Sequence, residues 1–283
     1  MEPASLSRPS RPKRVVTWLI AGVLTLGMLV YQRMTGPTYP KSVHETFAGG
    51  VVSGKLVRTH AGDGGAVVEV GAPAPIEGTL VWRRYPTQDP WTTVPMRREG
   101  DRLAGELPHM PIAGKLEYTV RLASGPAFLA VPQDGSAIIR YRNDVPVFVL
   151  IPHILCMFLG LLFGMRLLFG ALAKQDDLMG YFPWLMTFSL AGGLILGPLV
   201  QKYAFDAFWT GWPVGEDLTD TKTLVACAAW GVAWWVSVRA SEWRRTAIVA
   251  ASIVMLAVYL IPHSARGSQI DWSKVPANAA SSR

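Results

Sequence analysis

The sequence predicts a multi-pass α-helical membrane protein: five transmembrane helices with an all-β domain inserted after the first. Two observations lead there. Five apolar runs, Val15 to Tyr31, Val145 to Ala173, Tyr181 to Val200, Thr223 to Val238 and Thr246 to Ile261, each approach the roughly 20 residues needed to cross a ~30 Å hydrocarbon core. Between the first two runs, residues 40 to 143 break into short β-rich segments punctuated by glycine and proline. In lipid every backbone N–H and C=O needs an internal partner, so runs of this length cross as helices. Half of the 283 residues are hydrophobic and the mean hydropathy is +0.26, intermediate between a soluble domain and a fully embedded chain.

The first element is a basic tail, residues 1 to 14, leading into the run at 15 to 31. That run reads as an uncleaved anchor. Its seventeen apolar residues exceed the usual 7–15-residue core of a secretory signal, and the flank from Gln32 to Pro37 lacks a small-x-small cleavage pattern. Arg8, Arg11, Lys13 and Arg14 precede the first run, Arg166 and Lys174 end the second, and Arg239, Arg244 and Arg245 lie between the fourth and fifth. An alternating path puts all of them on one side, which the positive-inside rule makes cytoplasmic. The carboxyl-terminal tail, 264 to 283, then ends in the periplasm of a bacterial inner membrane. The formal charge of +7 thereby has a cause beside the lipid and does not call for a nucleic-acid partner. Cys156 and Cys227 both fall inside apolar runs, so the external domain has no disulfide.

In the external domain, strands are expected at Val51 to Arg58, Ala66 to Val70, Gly78 to Tyr85, Thr92 to Arg98, Arg102 to Glu106, Lys115 to Leu122 and Ala137 to Tyr141. Alternation such as Leu116-Tyr118-Val120-Leu122 against Glu117-Thr119-Arg121 gives each sheet one buried and one wet face. The stretch from Leu107-Pro108 through Gly114-Lys115-Leu116-Glu117-Tyr118 resembles the tyrosine corner of immunoglobulin-like and fibronectin-type sandwiches. The resemblance implies a buried Tyr118 bonded to backbone between Pro108 and Gly114, with Trp82 as the core tryptophan. Tyr85 and Trp91, beside Thr87-Gln88-Asp89-Pro90, offer a surface for stacking a sugar ring or for capping the end of the core.

Residues 145 to 263 form a four-helix membrane portion, interrupted by an aromatic loop at 201 to 222. Leu-Ile-Pro-His occurs twice, placing His153 and His263 near the outer face. Ionisable groups in membranes are functional candidates by default, and two imidazoles at matched depth suit a b-type haem, a quinone or a proton relay. The plainer reading has each imidazole bonded to water or to a carbonyl freed by a neighbouring proline. Cys156, Gly160 and Gly164 form a small-residue stripe, and Gly193 and Gly197 a second, which let helices approach closely in lipid. Phe205, Phe208, Trp209 and Trp212 make the loop an interfacial aromatic belt or a partner surface. Asp217 and Asp220 fit a helix N-cap at its end and, with Tyr85, Trp91, Phe208, Trp209 and Trp212, make up the candidate interaction surface.

Thr35-Gly36-Pro37-Thr38-Tyr39-Pro40, Gly197-Pro198-Leu199-Val200-Gln201-Lys202-Tyr203-Ala204-Phe205, Trp209-Thr210-Gly211-Trp212-Pro213, Asp217-Leu218-Thr219-Asp220 and Tyr259-Leu260-Ile261-Pro262-His263-Ser264 resemble an uncharacterised family of bacterial inner-membrane proteins. The resemblance implies the same plan of anchor, external β domain and four-helix portion, and brings no catalytic or ligand residues with it. No Walker loop, HExxH, GxSxG or CxxCH occurs. The expected function is a non-enzymatic inner-membrane protein whose β domain binds a protein partner, without cofactor. The rival is a redox subunit holding haem b or quinone through His153 and His263.

Overall fold

The computed structural model describes residues 11–262, 267 and 269–275; Arg8, His263 and most of the tail from 264 to 283 lie outside the described residues. The chain divides into two compact units, Met1–Gly36 with Val145–Gly267, and Pro37–Asp144 with Ser268–Arg283.

The second unit is built of two sheets. Strands β1 (Lys41–Phe47), β2 (Gly50–Leu56), β4 (Ala66–Gly71), β8 (Arg102–Leu107) and β7 (Arg97–Glu99) form one, in that order. The other runs β3 (Thr59–Ala61), β11 (Ala137–Arg142), β9 (Lys115–Ser124), β5 (Glu77–Arg84), β6 (Thr92–Pro95), with β10 (Ala127–Val131) also on β9. All pairings are antiparallel except β3 with β11. Period-two alternation sets the faces: Ala66, Val68 and Val70 are buried while Val67 is exposed, and Leu116, Tyr118, Val120 and Leu122 line the same core from the opposite sheet.

Two strands that the sequence presents as one separate here. Thr92 to Arg98 splits at Met96, with β6 pairing β5 and β7 pairing β8, so the chain changes sheets. Pro95 has no N–H to extend a ladder, while Met96 donates its own to Gly78 O at 2.9 Å and turns its side chain inward. Strands β1, β3 and β10 go unseen in the sequence. In β1 only Val43 and Phe47 are buried, so no alternation shows.

The tyrosine contact also differs from expectation. Tyr118 is fully buried, but its hydroxyl donates to Val57 O at 2.7 Å. The bond expected of Tyr118 is made instead by Tyr141, whose hydroxyl donates to Pro108 O at 2.8 Å. Backbone pairing explains the exchange, since Ala113 N–H donates to Tyr141 O and Tyr141 N–H to Gly114 O, seating β11 beside that stretch. Tyr118→Phe is expected to lower β-unit stability by about 1 kcal/mol, the net value of one buried hydrogen bond, as read by denaturant unfolding. Trp82 lies half-buried at the margin of the core, and the buried tryptophan is Trp272, from beyond the last membrane run.

In the first unit, α1 (Arg11–Thr35), α2 (Val147–Leu172), the continuous run of α3 (Phe182–Ser189), a π turn (Leu190–Leu196) and α4 (Gly197–Phe205), then α5 (Leu218–Arg239) and α6 (Arg244–Leu260) pack together. Four stretches are long and apolar enough to cross a membrane: Pro12–Thr35, Val147–Leu172, Asp177–Phe205 and Ser241–Leu260. The fifth expected crossing, α5, falls below them because Asp220, Lys222 and Arg239 occupy its ends. Helices successive in the chain alternate in direction. Gln32 Nε2 donates to Tyr259 O and Lys222 Nζ to Ile261 O at one end. Arg14 pairs with Asp177, and Arg245 donates to Lys174 O, at the other.

The glycine stripes act as predicted. A Cβ on Gly160 would lie 2.9 Å from Ser189 Oγ, and one on Gly193 would lie 2.5 Å from Thr223 Cγ2. The aromatic loop is shorter than 201 to 222, since helix continues through Phe205 to a left-handed cap at Asp206 (φ 60°) and resumes at Leu218. The tail likewise loses residues 269–275 to the β unit.

Candidate functional sites

One cleft lies in the β unit. It measures about 590 Å³ and is lined by Arg84, Pro86, Thr87 and Asp89 on one side and by residues 269 to 273 on the other. The returning segment builds it. Trp272 is buried against the core, with Nε1–H donating to Tyr85 O at 2.8 Å and its ring 5.2 Å beneath the Arg84 guanidinium. Ile270 N–H donates to Ala113 O at 3.3 Å, and Lys115 Nζ to Gln269 Oε1 at 3.0 Å. Gly114 permits the approach, because a Cβ there would come within 3.3 Å of the indole. Arg84 also donates from Nε to Asp89, and this hydrogen bond holds the Asp89 carboxyl below the usual carboxylate range. Its contribution to stability is therefore present above the ordinary titration range of a carboxylate and is lost as pH falls through the lowered value.

The two aromatic residues expected to form one platform part company. Tyr85 is half-buried, and its backbone carbonyl accepts the Trp272 indole N–H. Trp91 is 42% exposed, with the Arg83 guanidinium 4.5 Å from its ring centroid.

In the helical unit, Asp217 and Asp220 are buried and organise the loop. Asp217 is the N-cap of α5, accepting from Thr219 N–H at 2.8 Å. Asp220 Oδ2 accepts from the N–H groups of Thr210 (2.8 Å) and Gly211 (3.1 Å), and Trp212 N–H donates to Thr221 Oγ1 at 2.9 Å. A Cβ on Gly211 would sit 2.5 Å from that of Asp220, so only glycine fits so close. Loop geometry thus comes from carboxylates, and it holds Phe208 and Trp212 outward, 56% and 65% exposed, while Trp209 donates its indole N–H to Trp212 O at 3.2 Å. Asp220→Asn is expected to weaken the loop by roughly 1.5–3 kcal/mol, the value of hydrogen bonds to a charged acceptor. Faster hydrogen exchange at Thr210 and Gly211 would report it.

His153 is held by the π turn. Its Nδ1 lies 2.9 Å from Gly192 O, which also accepts the N–H of Gly197 five residues on. Facing a carbonyl, Nδ1 carries a proton and donates it to Gly192 O. The wide turn falls just before Pro198, which cannot donate to the carbonyl four residues back. The carbonyl that receives His153 is thus one loosened on the neighbouring helix, rather than one freed by Pro152. Cys156 lies one turn further along α2, against Gly192. The other half of the proposed axial pair, His263, falls outside the described residues.

A further polar centre escaped the sequence reading, which took Arg166 for a flanking charge. Arg166 is fully buried on α2. Its Nη2 donates to Gln175 Oε1 at 2.7 Å and to Tyr181 OH at 3.2 Å, and its guanidinium lies 4.4 Å from the Tyr181 ring centroid and 5.6 Å from that of Trp18. Asp177 stands between two cations, its Oδ2 2.7 Å from Arg14 and its Oδ1 3.8 Å from Arg166. Nε and Nη1 of Arg166 and Oδ1 of Asp177 are buried without a hydrogen-bond partner. Gln175 ties the group to α1 through Lys13 O (3.2 Å) and Thr17 Oγ1 (3.4 Å). The available signal was one arginine inside an otherwise apolar run. No protein-family model matches the chain, and no curated protein matches it.

Proposed function

We propose that this chain is a non-enzymatic bacterial inner-membrane protein whose immunoglobulin-like β domain is a periplasmic binding module, serving as an accessory or assembly subunit of a membrane complex. The cleft between Arg84, Asp89 and the returning segment carries the reading, because it joins a tryptophan-backed floor to an ionic rim and polar side chains that can anchor a protein partner. Strand order supports the immunoglobulin-like part, with a five-stranded sheet facing one that ends in a parallel edge pair, β3 on β11.

The orientation rests on charge. Arg14, Arg166, Lys174, Arg244 and Arg245 share one end of the helical unit, the cytoplasmic one by the positive-inside rule. Chain path favours α5 as the fifth crossing. The β unit follows α1, and residues 269–275, which follow α6, belong to it as well, so the number of crossings between must be even and the total odd.

A photo-crosslinking residue at Thr87 of the full-length protein in cells tests the reading. A discrete protein adduct, absent when the same residue stands at exposed Glu99 on the other sheet, is expected. Equal labelling from both positions, or none from Thr87, would overturn it.

A further inference from the structure

We infer that the basic end of the helical unit binds an anionic phospholipid, with the phosphate against Arg14 and Lys13 and an acyl chain along the ring wall of Phe163, Trp184 and Phe188. The inference rests on the membrane-spanning reading of the helices and is independent of any β-domain partner.

Charge is the first support. One carboxylate, Asp177, is shared by two guanidinium groups, and one of these is fully buried with two nitrogens unpartnered. The centre keeps a positive excess that its low-dielectric surroundings screen poorly. Arg166 cannot be reached, but Arg14 can, because its side chain is 46% exposed, and exposed Lys13 precedes it. An anion at the surface therefore meets Arg14 and Lys13 directly, and Arg166 through its field.

Shape supplies the second, independent support. Tyr181, Trp184 and Phe188 lie at helical spacing on one face of the Asp177–Phe205 run. The rings of Phe163, Trp184 and Phe188 are close to parallel: Phe163 to Trp184 is 6.3 Å at 16°, Phe163 to Phe188 is 5.9 Å at 10°, and Trp184 to Phe188 is 6.1 Å at 22°. The wall begins beside Tyr181, 6.4 Å from Phe163, and Tyr181 accepts a hydrogen bond from Arg166. Trp184 is 55% exposed. An apolar cluster of near-parallel rings with a cationic end, on helices long enough to cross a bilayer, matches an amphiphile with an anionic head. An uncharged ring such as a quinone would use the wall and ignore Arg14, whereas free phosphate would use Arg14 and ignore the wall.

The test is native mass spectrometry of the delipidated full-length protein, offered phosphatidylglycerol, phosphatidylethanolamine or inorganic phosphate. Phosphatidylglycerol adducts are expected to exceed phosphatidylethanolamine adducts about fivefold for each basic side chain engaged. Arg14→Gln should remove most of that preference and Lys13→Gln, at an exposed site that leaves the fold intact, part of it. Arg239→Gln, at an exposed site on the last turn of α5, should leave it unchanged. Trp184→Ala should weaken phosphatidylglycerol binding while the charge preference persists. Equal binding of the two lipids, equal losses in the Lys13 and Arg239 variants, or displacement of the lipid by inorganic phosphate alone would overturn the proposal.

Discussion

Trp272→Ala is expected to destabilise the β unit by roughly 3–5 kcal/mol, the range for removing a buried aromatic ring from a packed core. The indole is buried among residues of both sheets, and its loss also frees Tyr85 O and removes the floor beneath Arg84. Hydrogen exchange followed by mass spectrometry on the full-length protein would localise the effect. Peptides covering β5 and β9 should exchange faster, while those covering α2 and α6 keep their protection. Unchanged protection in β5 and β9 would mean that the returning segment lies on a core already complete.

Arg166→Ala is expected to cost the helical unit a similar amount, roughly 3–5 kcal/mol, because it empties a fully buried site, takes the donor from Gln175 Oε1 and leaves Asp177 to Arg14 alone. Arg166→Met should cost clearly less. Its side chain fills the same space against Gly170 and Leu178 and removes the two unpartnered donors, and apolar replacement of buried charge is often close to neutral. Thermal unfolding in detergent separates the two variants. Equal losses would show that the charge itself, not the filled volume, holds α1 against α2.

How much could be read beforehand depends on whether the pattern is local. The helical runs are legible because a continuous apolar stretch of about 20 residues is itself a local pattern. Strand β4 was legible because each second residue faces one core. The splitting of Thr92 to Arg98 was not, since period two says which side a residue faces and not which sheet its strand joins. The end of α4 was misplaced because Gln201, Lys202 and Tyr203 look like loop residues, although Asp206 is where the backbone leaves the helix. Arg166 reads as a flanking charge because its partners come from two other stretches of the chain, Trp18 from α1 and Gln175, Asp177 and Tyr181 from residues 175 to 181. Trp272 was hidden for the same reason. Its only local sign was the spacing of Ile270, Trp272 and Val275 in an otherwise polar tail.

The placement of Trp272 also dictates an order of assembly. Ribosomes make β1 to β11 before any of α2 to α6, yet the tryptophan that closes the core emerges after all of them. Until residues 269–275 have left the ribosome, the β unit has an open seam between Tyr85 and Ala113. Its completion is thereby a built-in report that every helix from α2 to α6 has been made. A chain halted partway displays unfinished β structure to any protease it meets.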